Sequence, residues 1–151
     1  MAEDQVDIKG LDETLRAFRR MPKEANASLR ERSLDLADLL ARSAALAGRS
    51  SDAQSALVAQ GVKPKKDRIP GVRAGGATRV GRNAAPLHKV LFGAEFGANR
   101  LKQFRPHRGQ EGYWLFPTVR REAPRIEKEW EKVADDVVRD FIKDDVGRLF
   151  G

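Results

Sequence analysis

Apolar residues recur along the two ends of the chain at helical spacing. Leu11, Leu15 and Phe18 fall at i, i+4 and i+7, one face of a short helix. It should end at Met21, because the residue before a proline is pushed out of helical geometry. Pro22 can open the next helix, where no amide bond is lost. From there Ala25, Leu29, Leu36, Leu40 and Ala47 keep the rhythm to Gly48, a rod of about 39 Å at 1.5 Å per residue. Lys23, Glu24, Arg30, Glu31, Asp35 and Asp38 mark its solvated face. After Pro117, Val119, Ala123, Ile126, Trp130, Val133, Val137, Phe141 and Ile142 trace one face of a long amphipathic helix, and Ala134 and Val138 widen the stripe. Glu127, Lys128, Glu131, Lys132, Asp135, Asp136, Arg139 and Lys143 lie opposite. Pro124 either kinks that helix or marks its first turn.

Between these ends the rhythm changes. Val6 to Lys9 alternates apolar and charged, as a short half-buried strand does. Val90 to Phe92 and Tyr113 to Phe116 are short apolar runs bounded by glycine or proline, which read as buried strands. At their junction stands Gly93-Ala94-Glu95-Phe96-Gly97, with a carboxylate beside a large aromatic and flexible backbone on both flanks. Residues 49–86 are irregular: Asp52 suits a cap for a short helix through Gln60, and Ile69 to Arg73 and Thr78 to Val80 suit strand pieces around Gly75-Gly76. The part from Ser50 to Ala85 has few aliphatic residues, so it is expected to be poorly ordered or extended in the free chain and ordered by neighbours.

The fold class expected is α+β in a single domain over 1–151. A small, mostly antiparallel sheet is built from the N-terminal strand, pieces near 69–80, the 88–95 run and the 112–116 run. The helix from Pro22 and the C-terminal helix cover one face. Leu29, Leu36, Leu40, Ile126, Trp130, Val133, Val137 and Phe141 then share the core with Leu91, Leu115 and Phe116.

Composition narrows the chemistry. The 151 residues are 40% apolar and 34% charged, a charge-rich globular mixture in which no apolar run approaches the ~20 residues of a spanning helix. No membrane association is expected, and the acidic start MAEDQVD lacks the apolar core of a secretory leader. The absence of cysteine excludes disulfides, thiol catalysis and thiolate zinc sites. The net charge of +7 is local: residues 61–110 carry twelve Lys and Arg against Asp67 and Glu95, a balance of +10.

Catalysis needs a nucleophile, a tuned acid or base, or a metal held in mutual reach. His88 and His107 are the only histidines, and neither sits in a metal-ligating or base-and-carboxylate spacing. The glycines at 71, 75, 76 and 81 make no phosphate-cradling pattern. Glu95 beside Phe96 could have a raised pKa and act as a base, but a lone carboxylate there more often accepts backbone amides or an arginine at a strand end. No enzyme activity, cofactor or metal is expected.

The central pattern also carries a resemblance. An apolar run into Gly93-Ala94-Glu95-Phe96-Gly97, a basic loop with aromatics, and Gly112-Tyr113-Trp114-Leu115-Phe116-Pro117 feeding a charged helix resemble the head-to-tail joining proteins of long-tailed double-stranded DNA phages. The opening Val6-Asp7-Ile8-Lys9-Gly10-Leu11-Asp12-Glu13, with Leu15, Phe18, Arg19, Met21 and Pro22 after it, is similar to that family's start. The resemblance implies a virion protein of the neck, connector or tail-completion (terminator) position, assembled in the host cytoplasm. It implies a homo-oligomeric ring, a hexamer on a sixfold tail axis, that meets adjoining neck, connector or tail-tube proteins around the passing DNA. Gly93, Glu95, Phe96 and Gly97 are its structural motif. Candidate interface residues are Lys63, Lys65, Lys66, Arg68, Arg100, Leu101, Lys102, Phe104, Arg105 and Arg108. The alternative is a basic nucleic-acid-binding module in which Phe104, Tyr113 and Trp114 stack bases.

Overall fold

The computed structural model describes residues 2–5 and 11–150, with side chains over 11–142. The described elements are strand β1 (Ala2–Gln5), helices α1 (Leu11–Arg19), α2 (Lys23–Arg49) and α3 (Ala53–Ala59), and strands β2 (Lys63–Lys65), β3 (Gly71–Ala74), β4 (Arg79–Val80) and β5 (Ala85–Pro86). Helices α4 (Leu87–Phe96) and α5 (Leu115–Phe150) complete them. The architecture is α+β, dominated by its helices. The strand expected at Val6 to Lys9 lies outside the described residues.

Periodicity places the long helices correctly. Pro22 stands at the N-cap of α2, and the buried face of α2 carries Ala25, Leu29, Leu36, Leu40 and Ala44. That face meets Ile126, Trp130 and Val137 of α5, each almost wholly buried. The two helices run antiparallel: Arg32 of α2 pairs with Asp140 at 3.0 Å, whereas a β-carbon at Gly48 would stand 2.8 Å from the Trp114 ring at the other end. Val133 and Phe141 pack at the edge of this core, half-buried. Pro124 lies inside α5, which starts nine residues earlier than a proline-initiated helix would.

The sheet is smaller than expected, and its members differ. Strands β1, β3 and β2 form one antiparallel sheet in that order, with Asp4 and Pro64 both opposite Val72. Strands β4 and β5 form a separate two-stranded ribbon. The 88–95 run is not a strand: it is α4, burying Leu87, Val90, Leu91, Ala94 and Glu95. Nor is the 112–116 run, whose amides bond to Glu95 and open α5. A short apolar run between glycines and prolines has the same appearance whether it is a buried strand or a buried helix turn.

The basic 49–86 segment is folded onto the body. Asp52 caps α3 by accepting the Ser55 amide at 2.8 Å, as its position suggested. Val58, Val62, Val72, Ala74 and Val80 enter the same core cluster as the long helices. The segment has few large aliphatic residues, but its valines at 58, 62, 72 and 80 are all buried.

Trp130 ties three layers together. It is 1% exposed, and its indole N–H donates to the Arg68 carbonyl at 2.7 Å and to Ser33 Oγ at 3.1 Å. Ser33 in turn donates to the same carbonyl at 2.9 Å, so α2, α5 and the loop after β2 converge on one acceptor. Trp130→Ala is expected to lower stability by about 3–5 kcal/mol in urea unfolding. A loss below about 1 kcal/mol would show that the helices are held together elsewhere.

Candidate functional site

The Gly93–Gly97 motif forms the end of α4, and every residue with a defined role there serves packing. Gly93 leaves room for the Phe104 ring, which a β-carbon would strike. Gly97 ends the helix at φ +79° against the backbone of Arg105 and Pro106, a conformation that disfavours any side chain. Phe96 stacks on Phe92 at 6.1 Å and on Phe116 at 5.5 Å between ring centroids.

Glu95 is fully buried and points at the start of α5. Its Oε1 accepts the Trp114 amide at 2.9 Å, and its Oε2 accepts the Leu115 amide at 2.6 Å and the Phe116 amide at 3.3 Å. Its backbone carbonyl accepts the Tyr113 amide at 2.7 Å. The first amides of a helix lack partners within the helix and lie at the positive end of its dipole, so a carboxylate there is a cap supplied from another element. Gly112 has φ +79° and lies where a β-carbon would collide with this carboxylate. Of the two uses open to Glu95 in the sequence, acceptance of amides is the one observed, at a helix start instead of a strand end. Burial pushes its carboxyl above the usual value of 4.5, and the bonds from Trp114, Leu115, Tyr113 and Phe116 oppose that rise.

The loop from Gly97 to Gly112 folds back over α4. Ala98 donates its amide to the Arg105 carbonyl at 2.8 Å, Arg108 donates to the Phe96 carbonyl at 2.7 Å, and the Tyr113 hydroxyl donates to the Pro106 carbonyl at 2.7 Å. Arg105 is a fixed part of this loop. It donates to Ser51 Oγ at 2.7 Å, lies 3.3 Å from the Asp52 carboxylate, and stacks 3.9 Å from the Tyr113 ring centroid. Arg108 approaches the same ring at 5.2 Å.

Between α4 and this loop lies an open groove of about 600 Å³, lined chiefly by Phe92, Phe96, Leu101 and Phe104, with Lys89 and His107 at its edge. Phe92 and Leu101 are 56% and 51% exposed, so the groove turns two large apolar side chains to solvent. Arg100 and Lys102, exposed on either side of Leu101, put positive charge beside it.

The proposed interface residues therefore do not form one patch. Arg100, Leu101, Lys102, Phe104 and Arg108 belong to the groove loop, where Arg105 has a structural use. Lys63, Lys65, Lys66 and Arg68 lie on and just after β2, and Arg68 meets α2 at Ser33. From Ser33, α2 runs on for about 24 Å to its end at Arg49, two residues before the Ser51 contact of Arg105. Lys65 also lies 3.9 Å from Asp67. Phe92 is the residue the sequence reading missed, because a buried strand was expected there. Its i, i+4 spacing to Phe96 was the available sign.

Glu95→Ala is expected to cost about 3 kcal/mol, by leaving the buried amides of 114–116 without acceptors. The folded value lies above 4.5, so between the two values the folded chain holds a proton that the unfolded chain has released. This contribution to stability is fully present below pH 4.5 and is lost as pH rises through the folded value. Urea unfolding from pH 4.5 to neutrality should show that slope in the wild type and a flatter one in Glu95→Ala. Equal slopes would reject the assignment.

Comparison with protein-family models, with curated proteins and with solved structures finds no match for this chain.

Proposed function

We propose that this chain is a structural subunit of the head-to-tail interface of a long-tailed double-stranded DNA phage. In this reading it is one copy of a ring, at the neck or tail-completion position, that joins heads to tails and surrounds the passing DNA. It works by shape and contact, with no catalytic step. The observation that carries the reading is the apolar groove between α4 and the 97–111 loop, held open by a hydrogen-bonded loop and flanked by positive charge. An apolar surface of this kind is suited to being covered by another protein. The resemblance supplies the sixfold axis, around which one patch cannot face itself. The contacts between copies are therefore heterologous, and the rotation must close.

The use of Glu95 supports the same reading. A general base must reach its substrate, and Glu95 is fully buried with both carboxylate oxygens accepting amides at the start of α5. The aromatic residues of the nucleic-acid alternative are also committed elsewhere. Trp114 is 3% exposed, Phe104 packs on Gly93, and Arg105 and Arg108 approach the Tyr113 ring. Exposed Lys63, Lys66, Arg100 and Lys102 remain available to DNA phosphate in a channel or to an acidic neighbour.

Purified chain should form closed rings in negative-stain images, with masses at whole multiples of 16.8 kDa. Phage particles lacking it should accumulate as separate heads and tails. A persistent monomer whose DNA affinity falls steeply with salt would replace this reading with the nucleic-acid module.

A further inference from the structure

We infer that the groove between α4 and the 97–111 loop receives an acidic segment with an aromatic anchor, carried by an adjoining protein of a different kind. This rests on the ring-subunit reading and names the chemistry of that subunit's partner. The groove is built before anything enters it. Phe104 fills the space left by Gly93, Gly97 closes on the backbone of Arg105 and Pro106, and Arg105 is tied to Ser51 and Asp52. Walls fixed in this way lose little freedom on binding.

An aromatic row defines the anchor. The rings of Phe116, Phe96 and Phe92 stack in that order, with centroids 5.5 and 6.1 Å apart. Phe116 and Phe96 are half-buried, whereas Phe92 at the end of the row is more than half exposed and lines the groove with Leu101. An aromatic side chain laid on Phe92 extends the row at the spacing aromatic pairs favour. Buried aromatic anchors of this kind dominate the binding energy of interfaces.

Charge around the groove has one sign. Residues 86–110 contain Lys89, Arg100, Lys102, Arg105 and Arg108 against a single carboxylate, Glu95. Glu95 is fully buried and Arg105 is paired with Asp52, which leaves Lys89, Arg100, Lys102 and Arg108 exposed. An occupant with aspartate or glutamate on both sides of its aromatic residue matches that rim, so charge steers the encounter and apolar burial holds it. Single-stranded nucleic acid needs a basic track along its path, and Lys89 is the only lysine or arginine in the lining. A second copy of this chain does not fit either. Phe92 is the one exposed aromatic among the described side chains, and groove against groove would set Lys89, Arg100 and Lys102 against like charges.

Random short peptides displayed on cells and selected against the full chain test this. Retained peptides should carry Phe, Tyr or Trp with Asp or Glu on both sides, and added salt should weaken their binding. Leu101→Asp, and separately Arg100→Glu with Lys102→Glu, should each weaken binding at least about tenfold with unchanged circular dichroism, because these side chains are exposed. Leu101→Ser serves if Leu101→Asp does not fold. Each variant should still assemble like wild type in sedimentation, since the groove meets a different protein. No retained peptide, retained peptides without acidic residues, or binding that survives these substitutions would overturn the docking and leave the ring-subunit reading standing. Displacement of the peptides by single-stranded DNA of equal charge would overturn it in favour of nucleic acid. Loss of assembly in the groove variants would also overturn it, by giving the groove to contacts between copies. Wild type that stays monomeric while the expected peptides bind would remove the ring-subunit reading and keep the specificity of the groove.

Discussion

The structure depends on a buried carboxylate that starts a helix to which it does not belong. An ionised Glu95 in the interior is costly to desolvate, and the donors that converge on it oppose that cost without cancelling it. The Trp114 amide just before α5 and the Leu115 and Phe116 amides of its first turn do so, at the end of the helix where partial positive charge is concentrated. Each side of this contact needs the other. Without the carboxylate the first turn of α5 has unpaired buried donors, and without the amides the carboxylate is a buried charge with no partner. The contact therefore sets where α5 begins, and with it the register in which Ile126, Trp130 and Val137 meet α2.

The groove follows from the same contact. Because Glu95 pins α4 to the start of α5, the chain between Gly97 and Gly112 must leave and return within a short span. Its backbone bonds to Phe96 and its Arg105 anchor to Ser51 and Asp52 hold it over α4. Phe104 plugs the space left by Gly93, whereas Phe92 and Leu101 remain outside. A rigid apolar surface thus forms beside the helix start, and α5 carries its own far end away from it.

Basic residues that are alike in composition separate by environment. Arg105, with a carboxylate, a hydroxyl and an aromatic ring around it, belongs to the fold. Arg100 and Lys102, a few residues away, face solvent. Reversing charge at Arg105 would test the loop more than any interface, whereas Arg100 and Lys102 are free to meet a partner.

Repetition over many turns was legible in the sequence. The stripes through Leu29, Leu36 and Leu40 and through Ile126, Trp130 and Val137 gave both long helices and most of their core, because a helical period sustained over several turns fits no strand. The Asp52 cap was legible for a similar reason, being a local bond to an amide three residues on. The short runs at 88–95 and 112–116 were not, since length and composition alone do not distinguish a buried strand from a buried helix turn. The partner of Glu95 was equally hidden: its amides lie about twenty residues away, and only the folded chain brings them to it. So local periodicity determined the two long helices, and long-range pairing of one carboxylate with a helix start decided how the centre is built.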